Sequence, residues 1–319
     1  MGQPFFMELW LKKGTVLLAF MILFSSAVMA QGLKVFVEPV TSYNRDCTVD
    51  YLYSTDGSLK SQLDWNALYL FKAGAALTLK GEHFCFETVL LSCLPFGCGT
   101  MYDSDWYTTG LKTNLSEHKL ICAWGADCEF LFSYDFMLPH NFTLRPIVML
   151  SDSVKKLHGQ NGTGWCGDTN HTGLDHNVAW NDSAARQVKK YGVDFTNNVA
   201  SLFLGLGVKK ELGKFALDFS ALISPLSYVL SVDHHLNSGD GHFYQMEQFI
   251  FPCDFRLSTS YAFTSKSSLK LSAACSLCPQ TSGKIYFGWF GYETEEAPGY
   301  SAVSFSRLRV AVSWKYKIK

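Results

Sequence analysis

The chain has 319 residues, a formal net charge of −1, and a composition that is 48% hydrophobic, 15% aromatic and only 17% charged. A near-neutral chain without a basic excess argues against electrostatically driven nucleic-acid binding. So apolar a composition, with no convincing spanning helix after the first 30 residues, leaves a β-rich core or a β-barrel in an outer membrane.

Residues 1–30 read as a secretory signal peptide. Lys12 and Lys13 precede an apolar run from Thr15 to Phe24, and small residues with "VMA" lead to Gln31. That run is shorter than the ~20 residues a spanning helix needs, although an anchoring helix is the competing reading. Residues 31–319 then form one domain without a linker or low-complexity break.

Strand-like segments follow at 45–55, 61–73, 87–100, 122–138, 142–152, 192–209, 214–231, 244–261, 267–276 and 303–317. Their separators are of two kinds. "LPHN" at 138–141, "KKELGK" at 209–214 and "TSKS" at 264–267 are short, whereas 101–121, 154–190, 232–243 and 279–301 are long and polar. Short turns at one rim and long loops at the other are the habit of outer-membrane barrels. "KFALDFSAL" (214–222) puts Phe215, Leu217, Phe219 and Ala221 on one face and Ala216, Asp218, Ser220 and Leu222 on the other. This is the barrel period, and a half-buried soluble strand shares it. Trp65, Tyr69, Trp106, Trp124, Tyr228, Tyr244, Trp314 and Tyr316 fall near presumed strand ends, where aromatic girdles sit. The terminus "SWKYKIK" departs from the expected aromatic last residue.

The ten cysteines include a single CxxC, Cys275 and Cys278, with no second pair and no spaced histidines, so no zinc signature arises. They read as small core or lipid-facing residues in preference to disulfides. Sequons at Asn114, Asn141, Asn161, Asn170 and Asn181 keep open a soluble, glycosylated β-rich ectodomain.

Two polar clusters carry chemistry. In "MYDSDWYTTG" (101–110), Asp103 and Asp105 are two apart, so an extended chain projects both from one face about 7 Å apart. Like charges so close disfavour each other's ionised form. In "LSVDHHL" (230–236), Asp233 and His235 share a face likewise, and a carboxylate beside an imidazole fixes its tautomer and raises its basicity. Each cluster alone is more at home in a solvated loop. Together they follow the third and seventh strands, hence emerge at the same rim, nearly opposite one another across a ten-stranded lumen. Such a cleft could activate water against a peptide carbonyl without a nucleophilic side chain.

These residues resemble the omptin family of outer-membrane proteases. "MYDSDW" is similar to the family's Asp-x-Asp-Trp after strand three and "DHH" (233–235) to its Asp-x-His after strand seven. "SQLDW" (61–65) is similar to a signature on strand two, and "VDYLYSTDGSLK" to the first hairpin. The resemblance implies Asp103 and Asp105 as the Asp pair, and Asp233 and His235 as the dyad that deprotonates water. It places Ser116 and His118 in the long loop as supporting residues. The substrate-pocket positions fall on Thr48 and Ser231, both neutral, with Asp50 on the same face as Thr48, which implies a preference altered from dibasic sites. No metal or other cofactor is implied, apart from lipopolysaccharide or another outer-membrane lipid, for which "RQVKKYG" (Arg186, Lys189, Lys190) is the nearest basic cluster.

The expectation is a ten-stranded antiparallel transmembrane β-barrel with long extracellular loops. It would be a monomer in the bacterial outer membrane whose active site faces outside. Its partners would be peptide or protein substrates and outer-membrane lipid, with no nucleic acid. The alternative is an inactive barrel of the same kind, acting as an adhesin or pore.

Overall fold

The computed structural model describes residues 33–160, 162–168, 176–190, 192–236, 241–248, 250–289 and 295–318. The expected signal peptide lies outside the described residues, as do Asn161 and Asn170. The strands are β1 (Lys34–Tyr53), β2 (Leu59–Lys80), β3 (Phe84–Cys93), β4 (Phe96–Asp105), β5 (Asn114–Tyr134), β6 (Phe136–Leu138), β7 (Phe142–Gly159) and β8 (Gly162–Cys166). They continue as β9 (Arg186–Lys190), β10 (Val193–Leu212), β11 (Phe215–His235), β12 (Gly241–Gln248), β13 (Cys253–Ala262), β14 (Ser267–Trp289), β15 (Glu295–Glu296) and β16 (Tyr300–Lys317).

Antiparallel pairing closes these into a ring. β1 pairs with β2 and β16, β5 with β7, and the order runs on through β10, β11 and β14. β3 and β4 are two halves of one barrel strand, interrupted by Leu94 and Pro95, since proline cannot donate to a ladder. β12 and β13 are likewise halves of another, both bonded to β11 and β14. Ten antiparallel barrel strands result, as the sequence led us to expect. β8 and β9 form a hairpin that extends the β5 edge above the ring.

The strands run further than their sequence segments at the long-loop end. Asp103 and Asp105 lie in β4, Ser116 and His118 in β5, and Asp233 and His235 in β11, all in stretches read as loop. At the other end β1 begins at Lys34, not at 45. Above the apolar belt both faces of a strand meet water or a polar lumen, so the period-2 apolar signal vanishes although the pairing persists.

That belt is visible on the outer face. Phe215, Leu217, Phe219 and Leu226 of β11 are exposed, as are Leu308, Val310, Val312, Trp314 and Tyr316 of β16. Tyr69, Trp124, Trp314 and Tyr316 stand outward as a girdle would, whereas Trp65 is wholly buried inside the barrel, stacked on Phe195 at 4.1 Å. Trp65 shares the inward parity of Leu63 and Ala67, which no position along the strand can override. Asp233 lies seven positions beyond Leu226, about 23 Å along the strand, so the upper rim stands clear of the belt.

Inside, charges are compensated in layers. Asp46 lies 2.5 Å from Lys155 Nζ and 3.1 Å from Arg307 Nε. Asp127 meets Lys72 at 2.7 Å, and Glu129 sits between Arg256, at 2.8 Å, and Arg309. Glu38 pairs with Lys315 at 2.8 Å near the short-turn rim. No disulfide joins any of the ten cysteines, and Cys93, Cys98 and Cys122 are buried in the core beneath the upper rim. Asn114 is buried in β5, where no glycan would fit, which removes one support of the glycosylated reading.

Removing the shared member of a buried ion triad leaves its partners under-compensated. Glu129→Ala leaves Arg309 without its carboxylate and facing Arg256, which keeps only Asp254, and the loss costs about 3 kcal/mol. The expected outcome is a lower temperature for conversion from the compact to the unfolded band on unheated-to-heated gels. An unchanged conversion temperature would show that the triad does not hold the lumen together.

Candidate active site

A bulge sets the Asp pair. The register of β4 against β5 shifts between Gly97 and Gly99, and Gly99 has φ +151°. A Cβ there would meet Asn66 O at 1.9 Å, so glycine is needed where the strand is bent against β2. Beyond the bulge Met101 is fully buried, and Asp103 and Asp105 follow on its face, opposite Leu63 and Ser61 of β2. Across the lumen, Asp233 pairs in register with Phe195 of β10 and Phe243 of β12.

Both acids and the dyad line one cleft of about 390 Å³ at the long-loop rim. Asp50, Leu52 and Ser61 stand at one side, Ile285 and Gln245 join them, and Trp106, Tyr107 and Lys190 complete the wall. Trp106, read as a girdle residue, is thus a cleft residue, with Lys112 Nζ 5.6 Å from its ring centre.

The geometry within the cleft is polar and tightly compensated. His235 Nε2 is 3.0 Å from Asp233 Oδ2, a hydrogen bond that assigns the Nε2–H tautomer. Burial pulls the imidazole down, but that hydrogen bond and the charges of Asp233, Asp103 and Asp105 outweigh it and raise it to about 9. Burial pushes Asp103 above the ordinary carboxylate range, with the charge of Asp233 adding to it and His235 and Lys190 opposing. Burial and then the charge of Asp103 push Asp105 up to about 7. Asp103 Oδ1 and Asp233 Oδ1 are buried without a hydrogen-bond partner among the described residues. Such oxygens are suited to a bound water or a reacting group.

The three pocket positions separate. Asp50 lines the cleft, and its Oδ1 accepts a hydrogen bond from Ser231 Oγ at 3.0 Å. Burial, opposed by that hydrogen bond and reinforced by the charge of Asp233, pushes Asp50 up to about 7. Ser231 is buried behind it and accepts from Asn197 Nδ2 at 3.1 Å. Thr48 lies below the cleft, where its Oγ1 accepts from Lys155 Nζ at 2.9 Å and donates to Asp46 at 3.2 Å. Ser116 and His118 are buried strand residues, not loop residues: Ser116 Oγ is 3.0 Å from His118 Nε2, and His118 Nδ1 is 2.7 Å from Gln160 O. They fasten β5 to the loop after β7. Lys190, read only as part of a lipid-facing cluster, is a cleft residue, and only its place in the β8–β9 hairpin could have revealed that. Among the described residues no cluster of His, Cys, Asp and Glu has the spacing of a metal site.

No protein-family model matches the sequence, and neither does any curated protein. The fold does have solved counterparts. The crystal structure of the outer-membrane protease OmpT from Escherichia coli is similar at a TM-score of 0.78 and 12% identity, covering 91% of this chain and 99% of that one. The translocator domain of the autotransporter NalP from Neisseria meningitidis matches at a TM-score of 0.35 and 10% identity, covering 95% and 97%. The outer-membrane protein OprG from Pseudomonas aeruginosa matches at 0.32 and 11%, covering 90% and 96%. The first of these likenesses extends over the whole ring and identifies the architecture as that of an outer-membrane β-barrel.

Proposed function

We propose that this chain is an outer-membrane endopeptidase in which water, held between Asp103 and Asp105 on one wall and Asp233 and His235 on the other, attacks the peptide carbonyl. The observation that carries this reading is the convergence of all four side chains on one cleft from strands on opposite sides of the ring. His235 donates Nε2–H to Asp233, so Nδ1 is the nitrogen that takes the proton from water. The hydroxide bonds to the carbonyl carbon, and negative charge develops on the carbonyl oxygen. Asp103 and Asp105 share a proton, since two such close carboxyls cannot both ionise cheaply. That shared proton is donated to the developing oxyanion. The imidazolium then protonates the leaving nitrogen as the C–N bond breaks, and the hydroxyl of the collapsing intermediate returns its proton to the Asp pair.

The outer apolar belt and the barrel architecture support an outer-membrane location, with the long-loop rim and its cleft facing outside. The ion-paired lumen beneath the cleft tells against a pore. An adhesin without activity remains the alternative outcome. Specificity follows from Asp50, the one carboxylate among the three pocket positions. With Thr48 below the floor and Ser231 neutral, the cleft has one acid outside the catalytic set to receive a cation, not the acidic lining a dibasic site asks for.

The refolded protein, with and without lipopolysaccharide, is expected to cleave peptides, and Asp103→Ala and His235→Ala to lose about 10²–10⁴-fold in kcat. His235 holds its proton below about 9 and is then no base, so kcat/KM rises with pH. The acid limb should lie above the ordinary imidazole value of about 6.5 and belong to the coupled group as a whole. Asp233→Asn should move that limb to lower pH while lowering the maximum. Activity that survives both alanine substitutions would sink the mechanism, and inactivity of all forms with and without lipid would favour the adhesin. For specificity, peptides with one basic residue at the cleaved bond should exceed Arg-Arg peptides, and Asp50→Asn should abolish that preference. Arg-Arg peptides as best substrates would overturn the pocket reading.

A further inference from the structure

The cleft has two ends as well as two walls. Asp103 with Asp105 and Asp233 with His235 face each other across the lumen, so a peptide passing between them runs toward β1 and β14 in one direction. In the other it runs toward the β8–β9 hairpin. The first end carries Asp50, Gln245 and Ile285, and the second carries Lys190 and Tyr107. Lys60 of β2 lines the Asp105 wall between them, so the charged group of the first end is Asp50 and that of the second is Lys190.

The hairpin is built to aim Lys190 inward. β8 pairs with β5 through Ser116 and Gly164, and Lys190 of β9 lies opposite Gly162. A Cβ on Gly164 would come within 2.8 Å of Lys190 Cγ and 3.0 Å of its Cε, so the lysine stem lies flat over the space that this glycine leaves. Its neighbour Lys189 is exposed on the other face of the strand. Among the described residues Lys190 makes no ion pair with a carboxylate, although it lines the cleft beside Asp103 and Asp105. Asp103 and Asp105 feel its charge without touching it, so a substrate closing over it would strip water from an ammonium group with no carboxylate at contact distance, and that is costly unless the substrate brings one.

We propose that Lys190 is a specificity-determining residue that receives an acidic side chain of the peptide, close to the cleaved bond on the hairpin side. The inference rests on the peptidase reading and names its substrate class: peptides with a carboxylate flanking the cleaved bond, opposite in charge to whatever Asp50 takes. A second basic residue would meet Lys190 instead of an acid, which is a repulsive reason for dibasic peptides to be poor substrates.

The test is a set of matched peptides carrying Glu, Gln or Lys at each of the two positions on either side of the cleaved bond. Wild type, Lys190→Gln, Lys190→Glu and Lys189→Gln are compared, each first checked for the compact band on unheated gels. Wild type and Lys189→Gln are expected to favour Glu over Lys at one flanking position by roughly five- to tenfold in kcat/KM. Lys190→Gln should flatten that ratio and Lys190→Glu should invert it. Cleavage by wild type without an acidic preference, or a preference that survives Lys190→Gln, overturns this inference and leaves the peptidase reading standing. Absence of cleavage of every peptide by wild type overturns the peptidase reading and this inference with it.

Discussion

Each carboxylate that the closed ring turns inward must find a cation or share a proton, and where it finds which one organises the molecule. Through the belt the solution is cations. Lys155 and Arg307 hold Asp46, Lys72 holds Asp127, and Arg256 and Arg309 hold Glu129. These pairs fill the lumen and join strands that are distant in the chain. At the upper rim the solution changes. Asp50, Asp103, Asp105 and Asp233 come together with the His235 imidazole hydrogen-bonded to Asp233, and buried carboxylate oxygens are left without partners. Asp50, Asp103 and Asp105 move toward neutrality and the imidazole toward its cation, so protons are held ready to move.

The two regimes touch. Thr48 bonds both members of the Lys155–Asp46 pair, and Ser231, held by Asn197, donates to Asp50 at the cleft floor. Arg307 in turn donates to Asn197 at 3.2 Å. A continuous polar path thus runs from the rigid ion pairs of the lumen to the cleft. Ser231, neutral where an acid might have stood, supports Asp50 through this path, while Thr48 belongs to the ion pair below it.

Much of this was legible in the sequence. Alternation in "KFALDFSAL", the segregation of short from long separators, and two polar clusters four strands apart led to the ring and to the opposed walls of the cleft. The boundaries were not legible above the belt, because "DSD", "LSEHKL" and "SVDHH" carry polar residues on both faces and lose the signal that marks a strand. Trp65 was misplaced since proximity to a strand end says nothing of which face a residue occupies. Lys190 was hidden in a basic cluster whose two lysines point opposite ways, which only the pairing of β9 with β8 reveals. At 12% identity to OmpT the shared property is the fold, and the chemistry has to be argued from this chain's own side chains.

The central claim is that the two walls act as one catalytic unit across the lumen. It is tested most directly by kcat/KM for wild type, Asp103→Ala, His235→Ala and the double variant on one good substrate. Groups that act as a unit are non-additive, so the double variant should be about as slow as the slower single variant. A double variant slower by the product of the two single losses would contradict the account, since it would mean that the Asp pair and the dyad work independently.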